Sequence, residues 1–198
     1  MQMSAELNEM QRNALRRLDI ERLNDMQSAA IEHCRGNSSM VLLSPTGTGK
    51  TLAFLLPLLE RLDVSCKGVQ AMIVLPSREL AKQVFEVWRA MSTPFHMTAL
   101  YGGRPLEQET ASLGGVSTAL IVGTPGRLLD HLNRSSFTVD KCTHLIIDEF
   151  DKCLELGFKK EMDSLVKEFK FVKQTIFTSA TFPNFEILDV DSLLLNRF

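Results

Sequence analysis

Residues 44–51 read Ser44-Pro45-Thr46-Gly47-Thr48-Gly49-Lys50-Thr51, between a β-rich run at 40–43 and a helical stretch over 50–61. Small residues at a strand-to-helix turn let successive backbone N–H groups point inward around phosphate oxygens, and the positive end of the following helix adds to their pull. Lys50 then reaches the β- and γ-phosphates, and Thr51 offers a hydroxyl to Mg²⁺. Ser44 stands where the general pattern has Gly. A plain glycine-rich turn is the structural alternative; the strand before and the helix after favour a nucleotide site.

Outward from this loop the chain alternates. Short β-rich runs at 40–43, 71–75, 98–101, 120–122, 145–147 and 175–177 are separated by helical stretches at 50–61, 78–91, 105–113, 126–132 and 159–169. Two further helices precede the first strand, one over 4–18 and one over 25–34 with Asn24 placed to cap it and Gly36 to end it. Alternation of this kind predicts an α/β fold with a mostly parallel β-sheet and helices on both faces. A final helix is expected over 184–198, and nothing in the pattern divides residues 1–198 into more than a single domain.

The quartet Asp148-Glu149-Phe150-Asp151 follows the apolar run Leu145-Ile146-Ile147. A buried strand ending in carboxylates delivers them to the carboxyl edge of the sheet, where open α/β folds bind ligands. Asp148 there suits Mg²⁺, a hard cation that prefers oxygen, and Glu149 suits the orientation or deprotonation of an attacking water. Acidic residues after a strand also serve as helix starts. The tripeptide Ser179-Ala180-Thr181 ends the last strand and brings two hydroxyls within reach of Asp151, although a Ser/Thr turn alone explains such a sequence.

Three more segments each leave a strand and open towards a helix: Pro76-Ser77-Arg78-Glu79-Leu80-Ala81, Gly102-Gly103-Arg104 and Thr124-Pro125-Gly126-Arg127. Each offers backbone N–H groups, a hydroxyl or glycine, and one Arg to a phosphate, so the series reads as a phosphate track. Any one of them alone reads equally well as a capped helix with an exposed Arg. Trp88, among Val84, Phe85 and Val87, belongs to a core, and the four His residues share no ligand spacing.

Composition narrows the classes. With 22 Lys+Arg against 24 Asp+Glu and a net charge of −2, a broad basic coat for nucleic acid is excluded, and any such contact is local. The apolar stretch 52–59 contains Pro57 and falls far short of the roughly 20 residues of a membrane span. The opening MQMSAELNEM has no basic segment followed by an apolar block, so a cytoplasmic location is expected. Cys34, Cys66, Cys142 and Cys153 form no CxxC pair and read as reduced thiols.

Taken in order, Gln27, SPTGTGKT, PSRELA, GG, TPGR, DEFD and SAT resemble the N-terminal RecA-like lobe of the DEAD-box ATP-dependent RNA helicases, over nearly the whole chain. The resemblance implies a RecA-like P-loop domain using ATP and Mg²⁺. It gives Gln27 the reading of adenine, Thr46, Gly47, Thr48, Gly49, Lys50 and Thr51 the phosphates, Thr51 and Asp148 the metal, and Glu149 the water. It gives RNA backbone to Pro76, Ser77, Arg78, Gly103, Thr124, Pro125, Gly126 and Arg127, with Asp151, Ser179 and Thr181 coupling the two sites. It also implies a monomeric lobe, a second RecA-like lobe in the natural protein beyond Phe198, and slow hydrolysis without that lobe's arginines. The chain departs from the family at Phe150, where Ala is usual and a bulky ring bears on coupling through Asp151. It departs again at Met10, seventeen residues before Gln27, where an aromatic ring is usual and weaker adenine selectivity follows. Leu23, Asn24 and Ser77 replace Pro, Ser/Thr and Thr. A diverged, non-catalytic RNA- or protein-binding scaffold is the alternative reading, and a DNA-directed helicase a third.

Overall fold

The computed structural model describes residues 6–36, 38–103, 105–115 and 117–181. Arg104 and the helix expected over 184–198 lie outside the described residues. The elements run α1 (Glu9–Arg17), α2 (Asp25–Arg35), β1 (Met40–Leu43), α3 (Lys50–Arg61), β2 (Ala71–Val74), α4 (Arg78–Ala90), β3 (His96–Leu100), α5 (Leu106–Gly115), β4 (Thr118–Gly123), α6 (Pro125–Asn133), β5 (His144–Ile147), α7 (Phe150–Glu155), α8 (Lys159–Glu168) and β6 (Gln174–Ser179).

Every pairing among the described strands is parallel, in the order β1-β6-β5-β2-β4-β3. Strands such as β2 are buried along their whole length because both faces are covered, which is why they read as unbroken apolar runs. Successive side chains still part to opposite faces. Ala71 and Ile73 join the core under α1 to α4 with Ile31, Phe54, Leu55 and Trp88, whereas Met72 and Val74 join the core under α6 to α8 with Leu128, Phe150 and Met162. Trp88 is held in the first core by its indole N–H, which donates to the Phe95 carbonyl at 3.0 Å.

The helix starts follow local chemistry. Asn8 and Asn24 each close a capping box, with Gln11 and Gln27 as the reciprocal partners. The Asn8 box begins α1 at Glu9, later than the start expected at residue 4. Pro57 costs α3 one backbone bond, yet the helix runs on because its side chains from Leu52 to Leu59 are buried. Two differences from the sequence reading have physical reasons. β3 begins at His96, before a register shift at His96/Met97 that breaks its pattern. Helix α7, absent from the expected helices, starts within the quartet after β5, with Glu149 at its N-cap and Phe150 and Asp151 in its first turn.

Burial also leaves a pH signature. His144 is the buried first residue of β5, and desolvation, with the positive charges of Arg61 and Lys173, pushes its pKa down to about 4. An unfolded His titrates near 6.5, so between those values the unfolded chain takes up a proton that the folded one refuses. Stability is therefore full above about pH 6.5 and falls as pH drops towards 4, by up to about 3 kcal/mol from this residue. Urea midpoints measured at about pH 7 and pH 4.5 are expected to differ less in His144→Gln than in the wild-type chain. The four thiols form no disulfide, and burial pushes Cys34, Cys142 and Cys153 up to about 12, which leaves those three unreactive.

Candidate nucleotide and nucleic-acid site

All the sequence-predicted loops leave the carboxyl ends of strands, and the strand order sorts them. The loops after β1, β6 and β5 carry SPTGTGKT, SAT and DEFD on three neighbouring strands; those after β2, β4 and β3 carry PSRELA, TPGR and GG on the next three. Backbone bonds prolong the ladder into the loops: Ser44 N–H donates to Ser179 O at 3.0 Å, Asp148 N–H to Val74 O at 2.9 Å, Leu75 N–H to Gly123 O at 2.9 Å and Thr124 N–H to Leu100 O at 3.2 Å. A Cβ on Gly123 would lie 2.2 Å from the Leu100 carbonyl, so the close approach of the last two loops requires glycine there.

In the phosphate loop Gly47 and Gly49 have φ of 82° and 89°, a region that a side chain disfavours. Among the described residues no atom beyond its chain neighbours lies within 4 Å of where a Gly47 side chain would start, leaving the cradle open on that side. Lys50 is buried and donates to the carbonyls of Ser44 and Pro45. Ser44, the departure from the general pattern, shares a 2.6 Å hydrogen bond with the Thr48 hydroxyl and so braces the loop from within. Thr46 and Gly47 are exposed at its tip, and Thr51 lies in the first turn of α3.

Gln27 is fixed by both ends of its amide. Its oxygen accepts from Asn24 N–H at 3.0 Å and its nitrogen donates to Gly49 O at 3.2 Å, while Asn24 donates to Thr48 O at 3.0 Å. Helix α2 is thereby stapled to the phosphate loop, a task that sequence reasoning did not give to either residue. Each end of the Gln27 amide keeps one further hydrogen-bonding position, as donor or acceptor. Met10 is partly buried against the first core.

Asp148 and Glu149 are 6% and 8% exposed. Burial raises the Asp148 carboxyl above its ordinary range, with Glu149 adding to the rise, while a hydrogen bond from Thr178 and the charge of Lys50 pull it back. Thr178 is fully buried and serves both acidic residues: its hydroxyl donates to Asp148 Oδ1 and accepts from Glu149 N–H at 3.1 Å. Sequence reasoning missed it because it precedes the tripeptide SAT. Glu149 occupies the left-handed region, φ 50° and ψ 50°, a strained conformation for a residue with a side chain. Its carboxylate pairs with Lys152 Nζ at 2.8 Å.

The bulky Phe150 ring, expected to bear on coupling through Asp151, points away from that carboxylate. The ring turns down into the second core, fully buried, and meets Phe177 edge-on with centroids 5.3 Å apart. Asp151 is therefore left at the rim, where its Oδ2 accepts from Ala180 N–H, Thr181 N–H and the Thr181 hydroxyl at 3.2, 3.2 and 3.1 Å. Burial alone would raise this carboxyl, but bonds from Thr181, Ser179 and backbone amides outweigh it and hold it below the ordinary value. The Ser179 hydroxyl also donates to the Thr181 carbonyl at 2.5 Å.

On the other half of the edge, Arg78 and Gly103 are neighbours: a Cβ on Gly103 would come 3.4 Å from Arg78 Nη1. A shallow cleft of about 350 Å³ joins Arg78, Lys82, Tyr101 and Gly103. Arg78 is exposed and pairs with Glu79, and Ser77 caps α4 through Leu80 N–H, with Pro76 buried behind it. Thr124 and Pro125 begin α6, and Gly126 is exposed. Arg127 differs from Arg78: its side chain is only 17% exposed, and its Nε bonds Glu109 at 2.6 Å.

The described residues contain no group of three or more His, Cys, Asp or Glu able to cage a metal. Mg²⁺ that accompanies a triphosphate does not need such a cage, since it keeps waters and phosphate oxygens and takes one or two protein oxygens. Asp148, buried and ordered by Thr178, with Thr51 at the head of α3, fits that demand. No described helix is long and apolar enough to cross a membrane.

A model of the DEAD/DEAH box helicase family matches residues 24–190. The chain is 36% identical over 173 residues to the ATP-dependent RNA helicase CshA of Listeria monocytogenes, covering 86% of this chain and 33% of that protein. Its match to the ATP-dependent RNA helicase DeaD of Escherichia coli is also 36% identical over 173 residues, with 86% and 27% covered. The crystal structure of a DEAD box protein from Methanococcus jannaschii superposes with a TM-score of 0.86 at 31% identity, over 96% of this chain and 52% of that one. A hypothetical ATP-dependent RNA helicase from Sulfolobus tokodaii gives 0.85 at 28% identity, over 97% and 56%. This chain thus spans about a third or less of these curated relatives and about half of the solved chains. It belongs to the DEAD/DEAH box helicase family, and within that family's architecture it is the N-terminal RecA-like lobe.

Proposed function

We propose that this lobe binds ATP on one half of its sheet edge and RNA backbone on the other, as part of an ATP-dependent RNA helicase completed by a second RecA-like lobe. The observation that carries the reading is the strand order, which gathers the phosphate loop, the acidic quartet and SAT on β1, β6 and β5 and gathers the three backbone-facing loops on β2, β4 and β3. In this reading Gln27 recognises adenine, and Thr46 to Thr51 cradle the phosphates with Lys50 turning from its own loop carbonyls to the β- and γ-oxygens. Thr51 and Asp148 hold Mg²⁺, which neutralises charge on those oxygens when bound. Glu149 leaves Lys152 to orient and deprotonate the attacking water. Asp151, Ser179 and Thr181 link the acidic loop to β6.

Pro76, Ser77, Arg78, Gly103, Thr124, Pro125, Gly126 and Arg127 form the RNA track. Their contacts are to backbone, so binding is independent of sequence, and with few basic residues in the track its salt dependence is modest. Closure of the second lobe over ATP and RNA bends one strand out of a short duplex. That lobe also brings arginines worth about 10³ to 10⁵ in rate in related nucleotide hydrolases. The lobe by itself binds nucleotide and hydrolyses it slowly.

The test is phosphate release from ATP by the longest natural form of the protein, alone, with single-stranded RNA, and with DNA of the same sequence. RNA-stimulated turnover is the expected result. Stimulation by DNA alone would make it a DNA-directed enzyme, and no turnover under any condition would leave a binding scaffold.

A further inference from the structure

Glu109, on α5, escaped the sequence reading, yet it is the buried hub of the RNA half of the edge. Its side chain is 2% exposed, and three nitrogens from two other places in the fold converge on it. Oε1 accepts from Tyr101 N–H at 3.1 Å; Oε2 is bonded by Arg127 Nε at 2.6 Å and lies 3.0 Å from His131 Nε2. Tyr101 directly precedes Gly102-Gly103, and Arg127 closes Thr124-Pro125-Gly126-Arg127. His131 is fully buried, and its Nδ1 has no hydrogen-bond partner among the described residues, so the contact of Nε2 with Glu109 helps to orient the ring.

A carboxylate removed from water is tolerated only where its oxygens are well served by donors. Here two of those groups, the Tyr101 amide and the Arg127 guanidinium, begin and end two track loops on adjacent strands β3 and β4. Moving either loop strips a buried charge of a partner, so Glu109 sets the spacing of the two loops and the direction in which the Arg127 guanidinium is presented.

We infer that Glu109 is a positioning residue for RNA binding, acting through Arg127 and the Tyr101 amide rather than by touching the strand. The inference rests on the proposed RNA track. It explains why Arg127 is held at 17% exposure while Arg78 stands out in solvent. RNA contacts from the first loop then depend on a flexible side chain, and those from the other two on a pre-set frame.

The experiment measures binding of a labelled single-stranded RNA by fluorescence anisotropy, with a non-hydrolysable ATP analogue present, on the longest natural form. Variants are Glu109→Ala, Glu109→Gln, Arg127→Ala and the double variant Glu109→Ala/Arg127→Ala. Glu109→Ala is expected to weaken RNA binding about tenfold or more, the loss typical of a charge-assisted contact, with analogue affinity unchanged. The double variant loses no more than Glu109→Ala alone, because the carboxylate acts through the arginine. Glu109→Gln keeps an acceptor for the Tyr101 amide and recovers part of the affinity; if the Ala variant does not fold, Gln against wild type carries the test with a loss of about threefold. RNA affinity within twofold of wild type in a folded Glu109 variant, or losses that add in the double variant, would overturn the inference and leave the track standing. Absence of RNA binding by the wild-type protein would overturn the track and the inference with it.

Discussion

If the proposed function holds, Glu149→Gln is expected to lower RNA-stimulated ATP turnover of the longest natural form by about 10²- to 10⁴-fold, the usual contribution of a positioned general base, while nucleotide affinity changes by less than about twofold. The substitution keeps the shape and the polar character of the side chain but removes its ability to accept a proton. Nothing else at the site needs to move: the backbone of residue 149 is held by the Thr178 hydroxyl, and the next residue is pinned in the core. The charge lost to Lys152 costs little, since that lysine is 45% exposed and can return to water. Steady-state phosphate release, paired with titration of a fluorescent ATP analogue, separates the two quantities. Turnover within about threefold of wild type would remove Glu149 from the catalytic role.

Phe150→Ala, which would restore the family's usual tetrapeptide, destabilises this protein by about 3–5 kcal/mol. The expectation follows from burial: the ring has no exposed surface, makes an edge-on contact with Phe177, and lies in the core with Met72, Ile147 and Leu165. Removing it leaves a cavity that fixed β-strands cannot collapse around. For a domain of this size the loss lowers Tm by roughly 6–20 °C. Thermal and urea unfolding measure it directly. The Asp151 contacts to Ala180 and Thr181 are made at the rim, apart from the ring, so RNA-stimulated turnover below the melting range should survive. Unchanged stability would mean that the ring fills no needed space.

The fold was legible because its signals are local and repeated. Short apolar or β-branched runs mark β1, β2, β4, β5 and β6, and helix caps such as Asn24 and Ser77 stand where the chain turns. The motif loops could be placed because each lies between a strand and a helix. What escaped reading depends on partners distant in sequence. Glu109 gains its meaning from Arg127 and His131, eighteen and twenty-two residues away. Thr178 gains its meaning from Asp148, thirty residues away. For Phe150 the sequence gives the size of the ring but not its direction. Helix α7 turns that side chain towards Phe177 and leaves the carboxylate beside it pointing the other way.

β6 lies between β1 and β5, hydrogen-bonded along both edges. The phosphate loop and the acidic loop are thus mounted on either flank of a doubly anchored beam, and prying them apart would mean shearing two ladders at once. The sheet behaves as an anvil. Under the proposed function, motion that accompanies ATP binding would then fall to the side chains and turns above the rim, such as Lys50, Lys152 and the first turn of α7, and to the second lobe.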